Sequence, residues 1–228
     1  MKKKRDRQRA FTFVGWGGKR KGAGRKLAPG KRPSVPHRSR VRLSARHPVH
    51  VTLRAFPKVV NLRTRGIFST VKEIVRLATE RFGFRIVQFT VQRNHLHLMI
   101  EATSWESLSR GAKGLSVRLA RAINALMDRS GRVFSDRYDA KVLTKPLQVR
   151  NSLLYVLQNS RKHAKQAGVA LPRGWVDPLS SGPWFEGWRD RTSATTEPPP
   201  VSAARTWLLS VGWKRHGLIS IHEVPRSK

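Results

Sequence analysis

The sequence predicts an α+β domain, an antiparallel sheet with helices packed on one face, followed by an additional helix. Two observations predict it. From residue 47 onward the apolar period switches between two and three to four in the order β-α-β-β-α-β-α. The two alternating runs in the middle, 84–92 and 95–102, are separated only by Arg93-Asn94, the spacing of a tight hairpin. That order is the ferredoxin-like split βαβ unit with one helix added.

Each element has its own local reason. In VHVTLRAF, from Val49 to Phe56, Val49, Val51, Leu53 and Ala55 alternate with His50, Thr52 and Arg54, which reads as a strand with one buried face. Thr70 and Glu73 are spaced as a capping box for a helix through Arg81, with Val71, Ile74, Val75, Leu77 and Ala78 as its stripe and Gly83 as its stop. FRIVQFTVQ and HLHLMIEA form the hairpin strands. A second helix is expected from Trp105 to Met127, with Leu108, Leu115, Leu119, Ile123 and Leu126 spaced for burial and two glycines placed to bend its first half. GRVFSDRYDAKVL contains a fourth strand, and Pro146 opens a third helix through about Gln166.

The flanks are different in kind. The first 40 residues hold fifteen Lys/Arg and one acid, Asp6, among glycines and prolines, a composition that cannot bury a core. The expected organisation is a flexible basic arm over 1–46, the domain over 47–168, and an aromatic-rich extension over 169–228 with a linker near 191–204. Trp175, Trp184, Phe185 and Trp188 read as a strap packed over the domain; platforms for stacked bases are the alternative.

With 47 Lys+Arg against 13 Asp+Glu, the 228-residue chain carries a formal charge of +34, which self-repels unless a polyanion neutralises it. Nucleic acid is the partner this implies. The absence of cysteine excludes a disulfide scaffold, a thiolate metal site and a cysteine nucleophile. No apolar run approaches the roughly 18 residues of a membrane span, and no signal-peptide pattern follows the basic start, so a soluble intracellular protein is expected.

His95 and His97, two apart in a strand, project from the face opposite Leu96, Leu98 and Ile100. Two neutral imidazoles can share a divalent cation and leave positions open for a phosphate oxygen, although the spacing alone equally suits two surface histidines. The chain has two tyrosines. Tyr155 stands mid-helix with Asn159 one turn on, so a hydroxyl and an amide share a helical face. Tyr138, beside Arg137 and Lys141, reads as sheet packing or a phosphate contact. Gln92, Arg93 and Asn94 at the hairpin turn are candidates to read bases, with turn chemistry as the plainer account of Asn94. Glu101 reads as a strand-end surface acid, with a fourth ligand or general base as its alternative.

VQRNHLHLMIEA resembles the HUH motif of single-tyrosine transposases acting on single-stranded DNA, and specifically the REP-associated tyrosine transposases of bacteria. The resemblance extends through HPVHVTLR, SRGAKGLSVRLARAINALMDRSGRVFSDRYDAKVL and LLYVLQNSRKHA, covering about 47–168; GGKRKGAGRK and TWLLSVGW resemble one subgroup. The family pattern in the last helix is Tyr, three residues, Asn and usually Pro. Tyr155 and Asn159 match it, Ser160 stands in place of Pro, and Asp139 occupies a position where His is expected.

The resemblance implies that His95, His97 and Asn159 hold one Mg²⁺ or Mn²⁺ and that Tyr155 attacks the scissile phosphate, leaving a 5′-phosphotyrosine link and a 3′-hydroxyl. The implied partner is single-stranded DNA carrying repetitive hairpins, in a cytoplasmic, nucleoid-associated setting, for a monomer or a homodimer. Arg93, Arg110, Lys113, Arg118, Arg121, Arg137, Arg161 and Lys162 are the candidate DNA contacts. Two other readings stand beside this one: a non-catalytic nucleic-acid-binding module of the same topology, and a domesticated transposase with a host role.

Overall fold

Four strands, β1 (Val49–Arg54), β2 (Phe84–Val91), β3 (His95–Ala102) and β4 (Asp139–Val142), form one sheet in the order β2-β3-β1-β4. All neighbours are antiparallel. Helices α1 (Arg65–Ala78) and α2 (Trp105–Leu126) connect the strands, and α3 (Pro146–Gln166) follows β4. This is the ferredoxin-like arrangement with one helix added. The computed structural model describes residues 43–226 except 60, 79, 81, 193 and 194, all within the unit Arg42–Lys228. Most of the expected basic arm, 1–42, lies outside the described residues, and Leu43 is already buried in the core.

Strand alternation sorts the sheet into two differently covered faces. Val49, Val51 and Leu53 of β1 share one face with Leu96, Leu98 and Ile100 of β3, and the stripes of α1 and α2 cover them. His50, Thr52 and Arg54 share the other face with His95, His97, Met99 and Glu101. There α3 packs against β2 and β3 through Val149, Leu153, Val156 and Leu157, which join Met99 in a second core. The fold thus places α3 on the histidine face.

Two local expectations are corrected. Helix α1 begins at Arg65, because its buried stripe starts at Ile67 and Phe68, a turn before Thr70. Thr64 Oγ1 accepts from the Ile67 N–H at 3.3 Å, while the Thr70 hydroxyl donates back to the Gly66 carbonyl within the helix. Gly111 makes a close contact: a Cβ there would lie 2.3 Å from the Phe84 ring. Leu77 and Leu126, expected in the stripes, are half-exposed at 50% and 51%.

The C-terminal aromatics form a strap. Trp188 and Trp213 are buried in the second core with Leu208, Leu209, Ile219 and Ile221, and Phe185 packs against them. The indole N–H groups of Trp188 and Trp184 donate to the carbonyls of Gly182 and Glu197, at 2.9 and 2.8 Å. The segment then crosses the end of β2 and β3 and enters the short helix α4 (Trp207–Ser210). Glu101 is what receives it. That carboxylate, only 4% exposed, accepts the backbone N–H groups of Arg205 and Thr206 and pairs with Arg85 at 2.8 Å. Glu101 is therefore neither a surface acid nor a member of the histidine cluster; an ordinary strand alternation buried it because the strap closes over that end.

Asp177 fastens the other end. It is 1% exposed, takes two hydrogen bonds from Arg63 at 2.7 and 3.1 Å, and accepts the Ser160 hydroxyl at 2.5 Å. Gln92 completes the network by donating to Thr90 and Ser160, so it is engaged in the fold and not turned toward solvent to read bases. Asp177→Ala leaves Arg63 and Ser160 without their shared partner. It is expected to lower the unfolding free energy by about 3 kcal/mol, the range for breaking a buried pair, read from the midpoint of urea unfolding.

Candidate active site

Cross-strand register assembles the cluster. His97 sits opposite Thr52 on β1 and Thr90 on β2; Arg54 is opposite His95, and His50 opposite Met99. Helix α3 packs on β2 and β3, and among the described residues Arg54 of β1 and Asp139 and Lys141 of β4 are exposed on this face, so Tyr155, half-buried, stands at the boundary. The His97 and Tyr155 ring centroids are 5.0 Å apart, His95 and His97 4.4 Å, and His50 and Tyr155 6.0 Å. Asn159, one turn beyond Tyr155 on α3, is 1% exposed.

Hydrogen bonding leaves a specific set of atoms unused. His97 Nδ1 lies 3.1 Å from both Thr52 Oγ1 and His50 Nε2. His95 Nδ1 lies 2.7 Å from Asn94 Oδ1, an acceptor, which places the proton on Nδ1 and the lone pair on Nε2. Among the described residues, His97 Nε2 and Asn159 Nδ2 are buried without a hydrogen-bond partner. A half-turn of the Asn159 amide exchanges its nitrogen for its oxygen without changing shape, so the same position offers an acceptor. Two imidazole lone pairs and an amide oxygen form a donor set that fits a divalent cation.

Burial also keeps these imidazoles neutral. Desolvation, aided by the neighbouring charges of His50, His95 and His163, pushes the His97 pKa down to about 2. Desolvation, Arg54 and His163 push that of His95 down to about 4. A ligand must present a lone pair, and both rings do so at neutral pH. The Lys162 ammonium lies 5.8 Å from the centroid of the Tyr155 ring, a cation–π contact.

The remaining candidates are dispersed. Arg110, Lys113, Arg118 and Arg121 are carried by α2, across the sheet from the histidines. Arg161 holds the strap, donating to the Trp175 carbonyl at 2.9 Å with its guanidinium 5.6 Å from the indole centroid. Arg93 is exposed at the hairpin turn next to Asn94, and Arg137 is exposed in the loop before β4. Asp139 sits exposed at the β4 edge opposite Thr52. His50 and Thr52 were not among the predicted site residues, and Asn94, a candidate to read bases, instead meets His95 Nδ1. The alternation of β1 placed the first two on one face, but only the sheet order put that face beside His97.

Fold and site define an α+β domain with a four-stranded antiparallel sheet and a histidine–tyrosine cluster on one face, and the sequence family supplies the class, transposases. The family described as Transposase IS200 like matches residues 46–159, half of the chain, and the chain belongs to that family. The match runs from β1 to Asn159 and so contains His95, His97 and Tyr155 as well, while Ser160 and the strap lie beyond it. A REP-associated tyrosine transposase solved bound to a REP hairpin is similar at 13% identity, covering 64% of this chain and 82% of that one, with a TM-score of 0.42. A bacterial tRNA(His) guanylyltransferase-like protein in complex with GTP is similar at 17% identity, covering 56% and 68%, with a TM-score of 0.42. Those likenesses carry no functional weight at such scores. A search of curated proteins returns no match. Among the described residues, no helix is long and apolar enough to cross a membrane.

Proposed function

We propose that this transposase cleaves and rejoins single-stranded, hairpin-bearing DNA through a 5′-phosphotyrosine intermediate, with a divalent cation held by His95, His97 and Asn159. The observation that carries the reading is the convergence of the histidine pair on the Tyr155 ring, with His97 Nε2 buried and unpartnered and the unpartnered Asn159 amide one helical turn from Tyr155. Mg²⁺ or Mn²⁺ in that position supplies charge neutralisation and polarisation of the scissile phosphate.

The chain's own residues do the rest. Tyr155 Oη forms the new ester bond to phosphorus, the bond from phosphorus to the 3′ oxygen breaks, and that oxygen leaves as a hydroxyl. Because one phosphate ester replaces another, the 3′-hydroxyl of a second strand end can reverse the step, joining strands without a nucleotide cofactor. Arg54 and Lys141, exposed on the β1 and β4 side of this face, offer cations to a strand beside Tyr155.

The test is a denaturing gel of the protein with end-labelled single-stranded hairpins and Mn²⁺. A protein-linked band on hairpin single strands, and none on the matching duplex, is expected. Tight binding with no adduct would sink the reading in favour of a non-catalytic binder. The basic arm makes a separate prediction. Deleting residues 1–40 removes fifteen cations. It should weaken DNA binding and flatten the dependence of log K on log[salt] by about 0.7 for each single-strand phosphate that the arm had neutralised. An unchanged slope in a filter-binding titration would exclude the arm from the DNA.

A further inference from the structure

His50 lies outside the histidine pair and the tyrosine helix, yet it touches both halves of the site. Its ring is 5.0 Å from His97 and 6.0 Å from Tyr155, centroid to centroid. Its Nε2 points at His97 Nδ1, 3.1 Å away. The two nitrogens of an imidazole direct their lone pairs to divergent sides, so a cation on His97 Nε2 lies away from His50 Nε2. The geometry makes His50 a neighbour of a ligand and not a third histidine on the same ion.

We propose that His50 is a positioning residue: its Nε2 accepts the Nδ1 proton of His97 and holds His97 in the tautomer whose lone pair is on the buried, unpartnered Nε2, the nitrogen away from His50. This rests on the divalent cation proposed for His95, His97 and Asn159. Within the His50–His97 contact one ring donates and the other accepts. If His50 donated, His97 would carry its proton on Nε2, a buried N–H that has no acceptor among the described residues. If His97 donates, the proton left to place is on His50, whose ring is only partly buried, so it is not confined to a fully buried nitrogen. Burial therefore favours His97 as donor, and that is the one arrangement in which His97 offers a lone pair. Thr52 Oγ1, also 3.1 Å from Nδ1, is a hydroxyl that rotates to donate or accept, so it accommodates either tautomer without selecting one.

The same device operates on the other imidazole. Asn94 Oδ1 accepts from His95 Nδ1 at 2.7 Å, again turning Nε2 outward as a lone pair. The two histidines are oriented from behind by different elements, His95 by its own hairpin turn and His97 by the neighbouring strand β1. An acceptor behind a ligating imidazole fixes the orientation of the ring and raises its basicity.

Two substitutions separate the acceptor from the ring. His50→Phe keeps an aromatic edge against Tyr155 and removes the acceptor; His50→Gln returns an acceptor oxygen at comparable reach. The full chain, labelled with ¹⁵N-histidine and with His97 assigned by its loss in a His97→Gln sample, reports which nitrogen is protonated, and calorimetric titration with Mn²⁺ reports affinity. His97 is expected to be protonated on Nδ1 in the parent and in His50→Gln, and to shift toward Nε2 protonation in His50→Phe. Mn²⁺ affinity should fall about 10- to 100-fold in His50→Phe and recover in His50→Gln. Nδ1 protonation that persists in His50→Phe, with Mn²⁺ affinity unchanged, overturns the proposal. A tautomer shift in His50→Phe with no Mn²⁺ binding by either protein overturns the cation reading and supports the positioning of His97 by His50.

Discussion

Tyr155→Phe is expected to abolish the covalent protein–DNA adduct completely while leaving hairpin binding nearly unchanged. The substitution removes one oxygen from a half-buried ring whose edge contacts, with His97 at 5.0 Å and His50 at 6.0 Å, are made by carbon as well. The helix needs nothing from that hydroxyl, because α3 is anchored by Val149, Leu153, Val156 and Leu157 on one side and by Ser160 and Arg161 on the strap. Tyr138, the second tyrosine, packs beside the α1/α2 core on the loop leading to β4 and cannot substitute. The same denaturing gel decides the matter. An adduct that persists in the variant assigns the nucleophile elsewhere, and a loss of binding in parallel would mean that the hydroxyl contacts DNA in the ground state.

Replacing His97 with Gln should have two large effects. Mn²⁺-dependent cleavage is expected to be lost, because the substitution removes the imidazole whose buried, unpartnered Nε2 is one of the three proposed ligand atoms. The second effect is on acid stability, and its sign is fixed by burial. The His97 pKa is lowered to about 2 in the folded chain, whereas an unfolded histidine titrates near its ordinary value of 6.5. Below pH 6.5 the unfolded chain gains a proton that the folded chain refuses, so the stability His97 contributes is present above that pH and is lost as pH falls. Between about pH 6 and 4 the parent should lose roughly 1.4 kcal/mol per pH unit more than His97→Gln, one proton's worth of linkage. Urea unfolding at a series of pH values measures this difference directly; parallel curves for the two proteins would contradict the buried neutral imidazole.

Much of the fold was legible because its elements carry strong local signals. The bounds of β3 and α3, the hairpin at Arg93-Asn94 and the helix start at Pro146 follow from period, turn chemistry and proline placement, all of which act within a few residues. The start of α1 was misplaced for the same local reason: Thr70 and Glu73 mimic a capping box, but burial of Ile67 and Phe68 against the sheet drew the helix a turn earlier. Glu101 and Gln92 were open questions because a single strand reports which face a side chain takes and not what closes over that face. Ser160 shows the same limit from the other direction. It departs from the pattern Tyr155 and Asn159 otherwise follow, and its hydroxyl is taken up by Asp177, seventeen residues on, in a segment with no periodicity to read.

Local pattern alone was enough to set the order of strands and helices, the shared face of His95 and His97, and the one-turn spacing of Tyr155 and Asn159. Each of these is a consequence of backbone geometry over a handful of residues. Long-range packing settled that α3 crosses the histidine face and not the opposite one, that β1 brings His50 and Thr52 to the back of His97, and that α2 carries its four cations to the far side of the sheet. Those outcomes depend on which apolar surfaces find one another. Val149, Leu153, Val156 and Leu157 must cover Met99 and Val87, and Trp188 and Trp213 must in turn cover them, before a tyrosine and a histidine pair from distant parts of the chain can share one site.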